Sequence, residues 1–289
     1  MNKPPVLHER TAEQITRFVR EPSHAVLLVG PHGIGKGYIA LSLAAQLLGI
    51  EPNTLPHYPY MRVISPDKGT ISIEAIRELR HFLQLKTTGS GTLRRIAILE
   101  HSDNLTTEAQ NAFLKILEEP PLDTVLILTV TTPRALLATI VSRTQTVTIY
   151  PPRAETVETY FQMDRDKGAV DKALALSGGL PGLMQGLLDD DQEHPLVCGV
   201  TTAKSLLSQP LAERLAAIDG LSKQKEEASY TIEALLHIAH TGINQATKRN
   251  DQKRLRQWYR VLKEATETQS ALAANANTKL ALTSLALQL

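Results

Sequence analysis

The sequence is poor in cysteine, in aromatic residues and in net charge. Its single cysteine, Cys198, excludes an internal disulfide and a zinc site built from several cysteine thiolates. Aromatic residues make up only 4% of the chain, which favours helical packing through Leu and Ala. The net charge of +1 provides no overall basic field, so contact with nucleic acid would require a local patch.

Long apolar runs are also missing. No apolar run reaches 18 residues, and the N-terminal stretch MNKPPVLHER lacks the apolar core of a signal peptide. These absences predict a cytoplasmic protein without a membrane partner. The length of 289 residues and the hydrophobic content of 42% favour two or three domains.

A glycine-rich segment follows the first strongly apolar run. Residues 25–29 (AVLLV) predict a buried strand and residues 38–48 a helix. The segment between them has the spacing of a phosphate-binding loop, G-x-x-x-x-G-K followed by Ser or Thr, in the strand–loop–helix context that this motif requires. Its candidate nucleotide-binding residues are Gly30, Gly33, Gly35, Lys36 and Gly37. Backbone N–H groups and the helix dipole favour a phosphate there, and Lys36 would pair with the β- and γ-phosphates. The final glycine, however, lacks the hydroxyl that would hold Mg²⁺.

Strands and helices alternate up to residue 149, which predicts a parallel α/β sheet. Strands are expected at 25–29, 60–64, 94–100, 124–130 and 146–149, and helices at 10–20, 38–48, 73–85, 105–117 and 134–140. Thr106 is expected to cap the helix that follows it. Pro151-Pro152 marks a boundary, and only helices are expected beyond it: a small helical unit at 153–190 that is broken at 177–182, and helices at about 197–208, 210–220, 224–246, 251–273 and 277–288.

Two later stretches give the sequence a family resemblance. AILEHSDNLTTEAQNAFLKILEEPP at 97–121 and TVLILTVTTPRALLATIVSRT at 124–144 closely resemble the AAA+ proteins of the bacterial DNA polymerase III clamp loader. The hallmarks are Leu-Glu-Glu-Pro-Pro at 117–121 and Ser142-Arg143. The resemblance implies an α/β AAA+ P-loop domain at 1–151, a small helical lid at 152–192, and an all-α collar at 193–289 that joins five subunits in a ring.

The resemblance also exposes departures from an active ATPase. The family's acidic strand end, Asp then Glu, falls on Glu100 and His101, and its polar sensor falls on Thr131. We interpret His101 as a solvent-facing histidine rather than a catalytic one, and Thr131 as either the sensor or an ordinary sheet-end threonine. The lid segment at 179–183 lacks the family's arginine. Since Gly37, His101 and the missing arginine each remove a separate role in phosphoryl transfer, we predict no significant ATPase activity for the isolated chain.

Arg143 is the one catalytic residue that the resemblance assigns. In the family this arginine acts as an arginine finger in the ATP site of the neighbouring subunit. A degenerate own site with a retained finger resembles the delta-prime class, a non-hydrolysing part of the polymerase III holoenzyme that helps to load the sliding clamp on primed DNA. The partners implied are the gamma/tau and delta subunits in a hetero-pentameric ring, the sliding clamp and, through the assembled complex, primed DNA. Alternatives are an active gamma/tau-like ATPase and an unrelated P-loop NTPase or kinase.

The remaining expectations concern ligands. No cofactor is required, weak binding of ATP or ADP stays open, and no metal is expected: the four zinc-binding cysteines of many family members are missing, and His57 alone cannot hold zinc. Two basic segments are candidates for DNA contact, although a solvated surface is favoured for both. One consists of Lys86, Arg94 and Arg95 around a Gly/Ser-containing turn at 87–92, and the other of Lys248, Arg249, Lys253, Arg254, Arg256 and Arg260 around Trp258.

Overall fold

The computed structural model describes residues 3–87, 93–274 and 276–289. The chain separates into two compact units, Met1–Pro152 and Arg153–Leu289. Most of the turn expected at 87–92 lies outside the described residues. Each unit has its own core and is described by itself below.

The first unit is built on a parallel sheet. Within the described residues its strands are β1 (Ala25–Val29), β2 (Met61–Ile64), β3 (Arg95–Leu99), β4 (Thr124–Val130) and β5 (Gln145–Thr148). They are ordered β2-β3-β4-β1-β5, and each neighbouring pair is parallel. Helix α1 (Glu9–Arg20) precedes the first strand, and the helices between the strands are α2 (Lys36–Leu48), α3 (Ile73–Gln84), α4 (Thr107–Glu118) and α5 (Ala138–Val141). The predicted α/β class is confirmed.

The central strands are buried along their whole length because helices cover both faces of the sheet. Every residue of β3 and β4 is buried. Leu27, Leu99 and Leu126 share one face and pack in a core with Phe113 of α4. Successive residues of a strand point to opposite faces of the sheet, so the residues that alternate with these three leucines face the other side. On that side α2 packs against β1, β3 and β4.

Helix starts and stops follow the local sequence. Thr106 caps α4 by accepting a hydrogen bond from the backbone N–H of Ala109 at 3.2 Å, as predicted. The helix expected at 134–140 is wrong in its extent: a 3₁₀ turn at Pro133–Ala135 and the short α5 take its place, because Leu136 and Leu137 between them are extended.

The second unit consists of helices throughout its described residues. They are α6 (Ala154–Gln162), α7 (Lys167–Ser177), α8 (Pro181–Leu188), α9 (Pro195–Ser208), α10 (Leu211–Leu221), α11 (Lys225–Lys248), α12 (Gln252–Ala273) and α13 (Thr278–Gln288). The long α11 packs against α7, α9 and α12. A Cβ at Gly242 of α11 would lie 2.3 Å from the Trp258 ring, so the indole packs directly on the α11 backbone. Division of this unit into a lid and a collar near residue 192 stays a prediction.

None of the helices in the described residues combines the length and the hydropathy that crossing a membrane requires. In the first unit, parallel pairing brings the carboxyl ends of β1, β3 and β4 to one edge of the sheet, which is where α/β proteins hold their ligands. The glycine loop, Glu100 and Thr131 all follow these strand ends.

Candidate functional site

The glycine loop begins where β1 ends and leads directly into α2. Gly33 and Gly35 have positive φ angles, 74° and 91°, which residues with a Cβ rarely adopt. Gly35 is the N-cap of α2, and α2 begins without a side-chain cap. The loop therefore makes the sharp strand-to-helix turn that its spacing predicts.

Lys36 is directed back onto this loop. Its Nζ donates hydrogen bonds to the carbonyl oxygens of Gly30 at 2.8 Å and of Pro31 at 3.0 Å. The side chain is only 7% exposed, and carbonyl partners offset part of the cost of burying its charge. Lys36 thus ties the start of the loop to the start of α2, a structural role that needs no phosphate.

Glu100 fills the space beside Gly37. A Cβ placed on Gly37 would lie 2.5 Å from Glu100 Oε1, so a serine or threonine side chain at this position would meet the carboxylate unless Glu100 moved. Glu100 Oε2 accepts a hydrogen bond from Ser65 Oγ at 2.8 Å, which anchors the carboxylate from the end of β2. A negative charge beside the first turn of a helix is also favoured by the helix dipole. The glycine at 37 and the glutamate at 100 are therefore one coupled feature rather than two independent substitutions.

A hydrogen-bonded group joins the loop to the ends of the neighbouring strands. His32 Nε2 lies 2.9 Å from Thr131 Oγ1, and the backbone N–H of Thr131 donates to Asp103 Oδ2 at 2.9 Å. The His32 ring stacks on the His101 ring, with centroids 5.9 Å apart. Thr131, the candidate sensor, is thus bonded to the glycine loop of its own chain.

His101 differs from its predicted setting. The interpretation of a solvent-facing side chain is wrong, because the residue is half-buried and stacked on His32. Its backbone is in the left-handed region, at φ 49° and ψ 49°, a conformation that is costly for a residue with a Cβ. Its N–H donates to Thr129 Oγ1 at 2.9 Å, which helps to hold that conformation.

Burial lowers the pKa of His32 from 6.5 to about 4, with a further lowering by the nearby Lys36 charge; Asp103 acts in the opposite direction, and His101 adds a smaller lowering. His32 is therefore neutral at physiological pH. A neutral imidazole can share one hydrogen with the Thr131 hydroxyl without placing a second positive charge beside Lys36.

Arg143 lies on another part of the first unit, between α5 and β5. Its Nη2 donates to Glu118 Oε1 at 3.0 Å, and its Nη1 donates to the Thr139 carbonyl at 3.2 Å. The arginine side chain is 38% exposed and that of Glu118 is 51% exposed. The guanidinium is consequently held in one orientation while it stays accessible from solvent.

The predicted site residues fall into two groups. Glu100 and Gly37 meet directly, and Thr131 reaches the loop through His32. Arg143 contacts α4 and α5 instead. The sequence reasoning did not find His32, Ser65 or Asp103: these residues stand at unspecified positions of the motifs, and only the order of the strands brings them together.

The prediction that both basic segments lie on the surface is wrong at one residue, Arg95. Arg95 is 2% exposed and lies within 5.6 Å of the Phe82 ring, and its guanidinium donates to the carbonyls of Leu83 and Leu85. It is therefore a core residue, and the suggestion that it contacts DNA is wrong. On α12, Lys253, Arg256 and Arg260 are exposed, and Arg254 pairs with Asp251 at 3.5 Å. DNA contact by this helix stays a prediction.

Among the described residues, no three His, Cys, Asp or Glu side chains come together as metal ligands. The expectation of no zinc was made from the sequence and stays a prediction.

A parallel sheet of this order, a glycine loop between its β1 strand and α2, and a following helical unit are the features of a P-loop domain of the AAA+ class. The solved structure of a DNA polymerase III, gamma subunit-related protein from Thermotoga maritima supports this fold, with a TM-score of 0.53 at 20% identity, over 96% of this chain and 97% of that one. The family model described as "DNA polymerase III, delta subunit" matches residues 8–153, and the chain belongs to this family.

Two curated relatives refine the comparison. The chain is 34% identical over 212 residues to the DNA polymerase III subunit delta' of Pseudomonas aeruginosa, and the match covers 66% of this chain and 63% of that protein. It is 25% identical over 253 residues to the DNA polymerase III subunit tau of Bacillus subtilis, over 74% of this chain and 44% of that protein. The chain thus matches less than two thirds of the length of either relative, and it is more similar to the delta' protein.

Proposed function

We propose that this chain is a delta-prime-like clamp-loader subunit that does not hydrolyse ATP itself and provides Arg143 to the ATP site of a neighbouring subunit. The observation that carries the proposal is the contrast between the two groups of residues. The space beside Gly37 is filled by the chain's own Glu100, whereas Arg143 is oriented and accessible.

The loop residues support the non-hydrolysing part of the proposal. Position 37 has no hydroxyl, no carboxylate stands at position 101, and the candidate sensor Thr131 is bonded to His32. Hydrolysis needs a metal ligand, a group that orients water and a group that stabilises the transferring phosphoryl. Gly37 and His101 provide neither of the first two, so we expect no significant turnover by the isolated chain.

Arg143 supports the second part. A planar guanidinium matches the geometry of phosphate oxygens, and it stays charged at every physiological pH. Arginine fingers raise phosphoryl-transfer rates by roughly 10³–10⁵ where they have been measured. In this proposal the chain assembles with gamma/tau-like and delta-like subunits in a five-membered ring that loads the sliding clamp on primed DNA.

The test is reconstitution with the gamma-like and delta-like subunits of the same organism. We expect Arg143→Ala to leave the fold and the assembly intact, because an exposed ion pair contributes only about 0–1 kcal/mol, but to depress ATP hydrolysis and clamp loading by the complex. Unchanged hydrolysis by the mutant complex would count decisively against the proposal.

The rate of ATP hydrolysis by the isolated chain distinguishes the proposed function from the alternative of an active gamma/tau-like ATPase. Steady-state turnover well above that of a Lys36→Ala control would favour that alternative. A monomer that turns over a small phosphate-accepting substrate would favour the unrelated NTPase or kinase.

A further inference from the structure

The partner of Arg143 stands at an unusual place on its helix. Glu118 is the last residue of α4, and Glu119 follows it as the C-cap. The carboxyl end of a helix carries partial negative charge from its unpaired carbonyl groups, so acidic residues are disfavoured there. Helix stability therefore does not explain a glutamate at position 118.

The pairing itself adds little stability. Both side chains are well exposed, at 38% and 51%, and exposed ion pairs are screened by water and salt. What the pair does provide is orientation. Glu118 accepts a hydrogen bond from Nη2 and the Thr139 carbonyl accepts one from Nη1, so both terminal nitrogens of the guanidinium have an acceptor within the chain.

These two acceptors belong to elements whose own positions are fixed. Glu118 ends a helix that packs into the core through Phe113 and Leu117 and is followed by Pro120-Pro121, which restrict the backbone after the helix. Thr139 lies in α5, which packs through Ile140 into the same core. The two bonds use two of the five N–H donors of a guanidinium, and the arginine side chain that carries the other three is 38% exposed.

We propose that Glu118 is a positioning residue for Arg143: it orders the guanidinium before the phosphate of a neighbouring subunit arrives. This inference rests on the proposed function, since it assigns the group that prepares the arginine finger. Ordering a long side chain in advance removes part of the entropic cost of the interaction at the moment of reaction. The Leu-Glu-Glu-Pro-Pro and Ser-Arg segments, which are separated in the sequence, would then form one functional unit.

The experiment uses the reconstituted complex and five variants: Arg143→Ala, Glu118→Ala, Glu118→Gln, the double variant Glu118→Ala/Arg143→Ala, and Glu119→Gln as the matched control. We expect Glu118→Ala to lower kcat for ATP on the order of tenfold, below the roughly 100-fold that a misplacement of 1 Å can cost, with KM unchanged. Glu118→Gln keeps an acceptor oxygen without the charge and should lie between the wild type and Glu118→Ala. Glu119→Gln changes the adjacent exposed glutamate and should behave like the wild type.

The double variant distinguishes positioning from a merely structural role. If Glu118 acts through Arg143, its removal has no further effect once Arg143 is alanine. A further loss in the double variant, a faster rate in Glu118→Ala, or a wild-type rate in Glu118→Ala would each overturn the inference. If Glu118→Ala fails to fold or assemble, Glu118→Gln carries the same comparison. If Arg143→Ala itself has no effect, the proposed function fails rather than the assignment of Glu118.

Discussion

The glycine loop and the Arg143 segment belong to the same sheet-based unit but satisfy their charges in different ways. In the loop, Lys36 is nearly buried and bonded to two backbone carbonyls, and Glu100 is anchored by Ser65. Arg143 is bonded on one side and accessible on the other. One region is closed by contacts within the chain, whereas the other presents a charged group to solvent.

This difference shows that a glycine loop can be stabilised by contacts within its own chain. The Glu100 carboxylate contacts the position where a Cβ on residue 37 would lie. Lys36 and Glu100 both stabilise the turn through their hydrogen bonds. In the proposed function the loop supports the edge of the sheet, and Arg143 contributes to catalysis.

The largest expected effect is on the rate of ATP hydrolysis, and it comes from a change at Arg143 rather than in the glycine loop. Arg143→Lys keeps the positive charge but loses the planar fork that binds two phosphate oxygens. We expect hydrolysis at the neighbouring site to fall by roughly 10³-fold, nearly as far as with Arg143→Ala. The measurement is the ATPase rate of the reconstituted complex, with Arg134→Lys, the same change at an exposed arginine of the same segment, as control. Full activity of Arg143→Lys would mean that charge alone suffices.

The second prediction concerns His32 in the closed region. Its folded-state pKa of about 4 lies below the ordinary value of 6.5, so the unfolded chain binds the proton first as the pH falls. The contribution of His32 to the free energy of unfolding is therefore fully present above pH 6.5. It falls by up to about 3 kcal/mol as the pH drops from 6.5 to 4. Titration of the His32 ring protons by NMR should give a midpoint near 4, and urea unfolding at pH 7 and pH 5 should show a smaller difference for His32→Gln than for the wild type. A midpoint near 6.5 would mean that the ring is not held as described.

Much of the fold could be predicted from the sequence because its signals are local. The buried strands are short runs of Val, Ile and Leu, and helices such as α4 and α11 have apolar residues at helical spacing. The exception at 134–140 arises because apolar spacing continues through Leu136 and Leu137, while the backbone there is extended. Composition and spacing carry no information on that local choice.

The site could be predicted only in part. Spacing located the glycine loop, and motif resemblance located Glu100, Thr131 and Arg143. The contacts that close the loop depend on strand order, which places β4 beside β1 and β3 beside β4, and so brings Glu100 to Gly37. Likewise, the burial of Arg95 depends on the carbonyls of Leu83 and Leu85, which a count of basic residues cannot anticipate.

The third prediction introduces at position 37 the hydroxyl side chain that the phosphate-loop pattern specifies there. Gly37→Thr should destabilise the chain by no more than about 1 kcal/mol, because the new Cβ would lie 2.5 Å from Glu100 Oε1 and the flexible carboxylate must turn away and give up its hydrogen bond with Ser65. In a Glu100→Ala background the same change should be neutral or stabilising, since a side chain replaces glycine in a helix. Gly220→Thr, at a position where a Cβ would have open space, is the matched control. Equal costs of Gly37→Thr in both backgrounds would contradict the coupling.

The smallest expected effect is the response of the loop to nucleotide. A ligand at a concentration equal to its dissociation constant stabilises the folded state by RT ln 2, about 0.4 kcal/mol. We expect the gain in about 1 mM ATP with Mg²⁺ to stay below that value, which corresponds to a rise in Tm of less than about 2 °C. The reason is that position 37 has no hydroxyl to hold Mg²⁺ and that the Glu100 carboxylate beside it repels the phosphates. Thermal unfolding with and without ATP and Mg²⁺ measures the shift, and a rise of several degrees that Lys36→Ala abolishes would mean that the loop still binds nucleotide.

In that case the two regions would differ in catalysis only, and Gly37→Thr combined with Glu100→Asp should increase the shift further, because the shorter carboxylate leaves room for the hydroxyl.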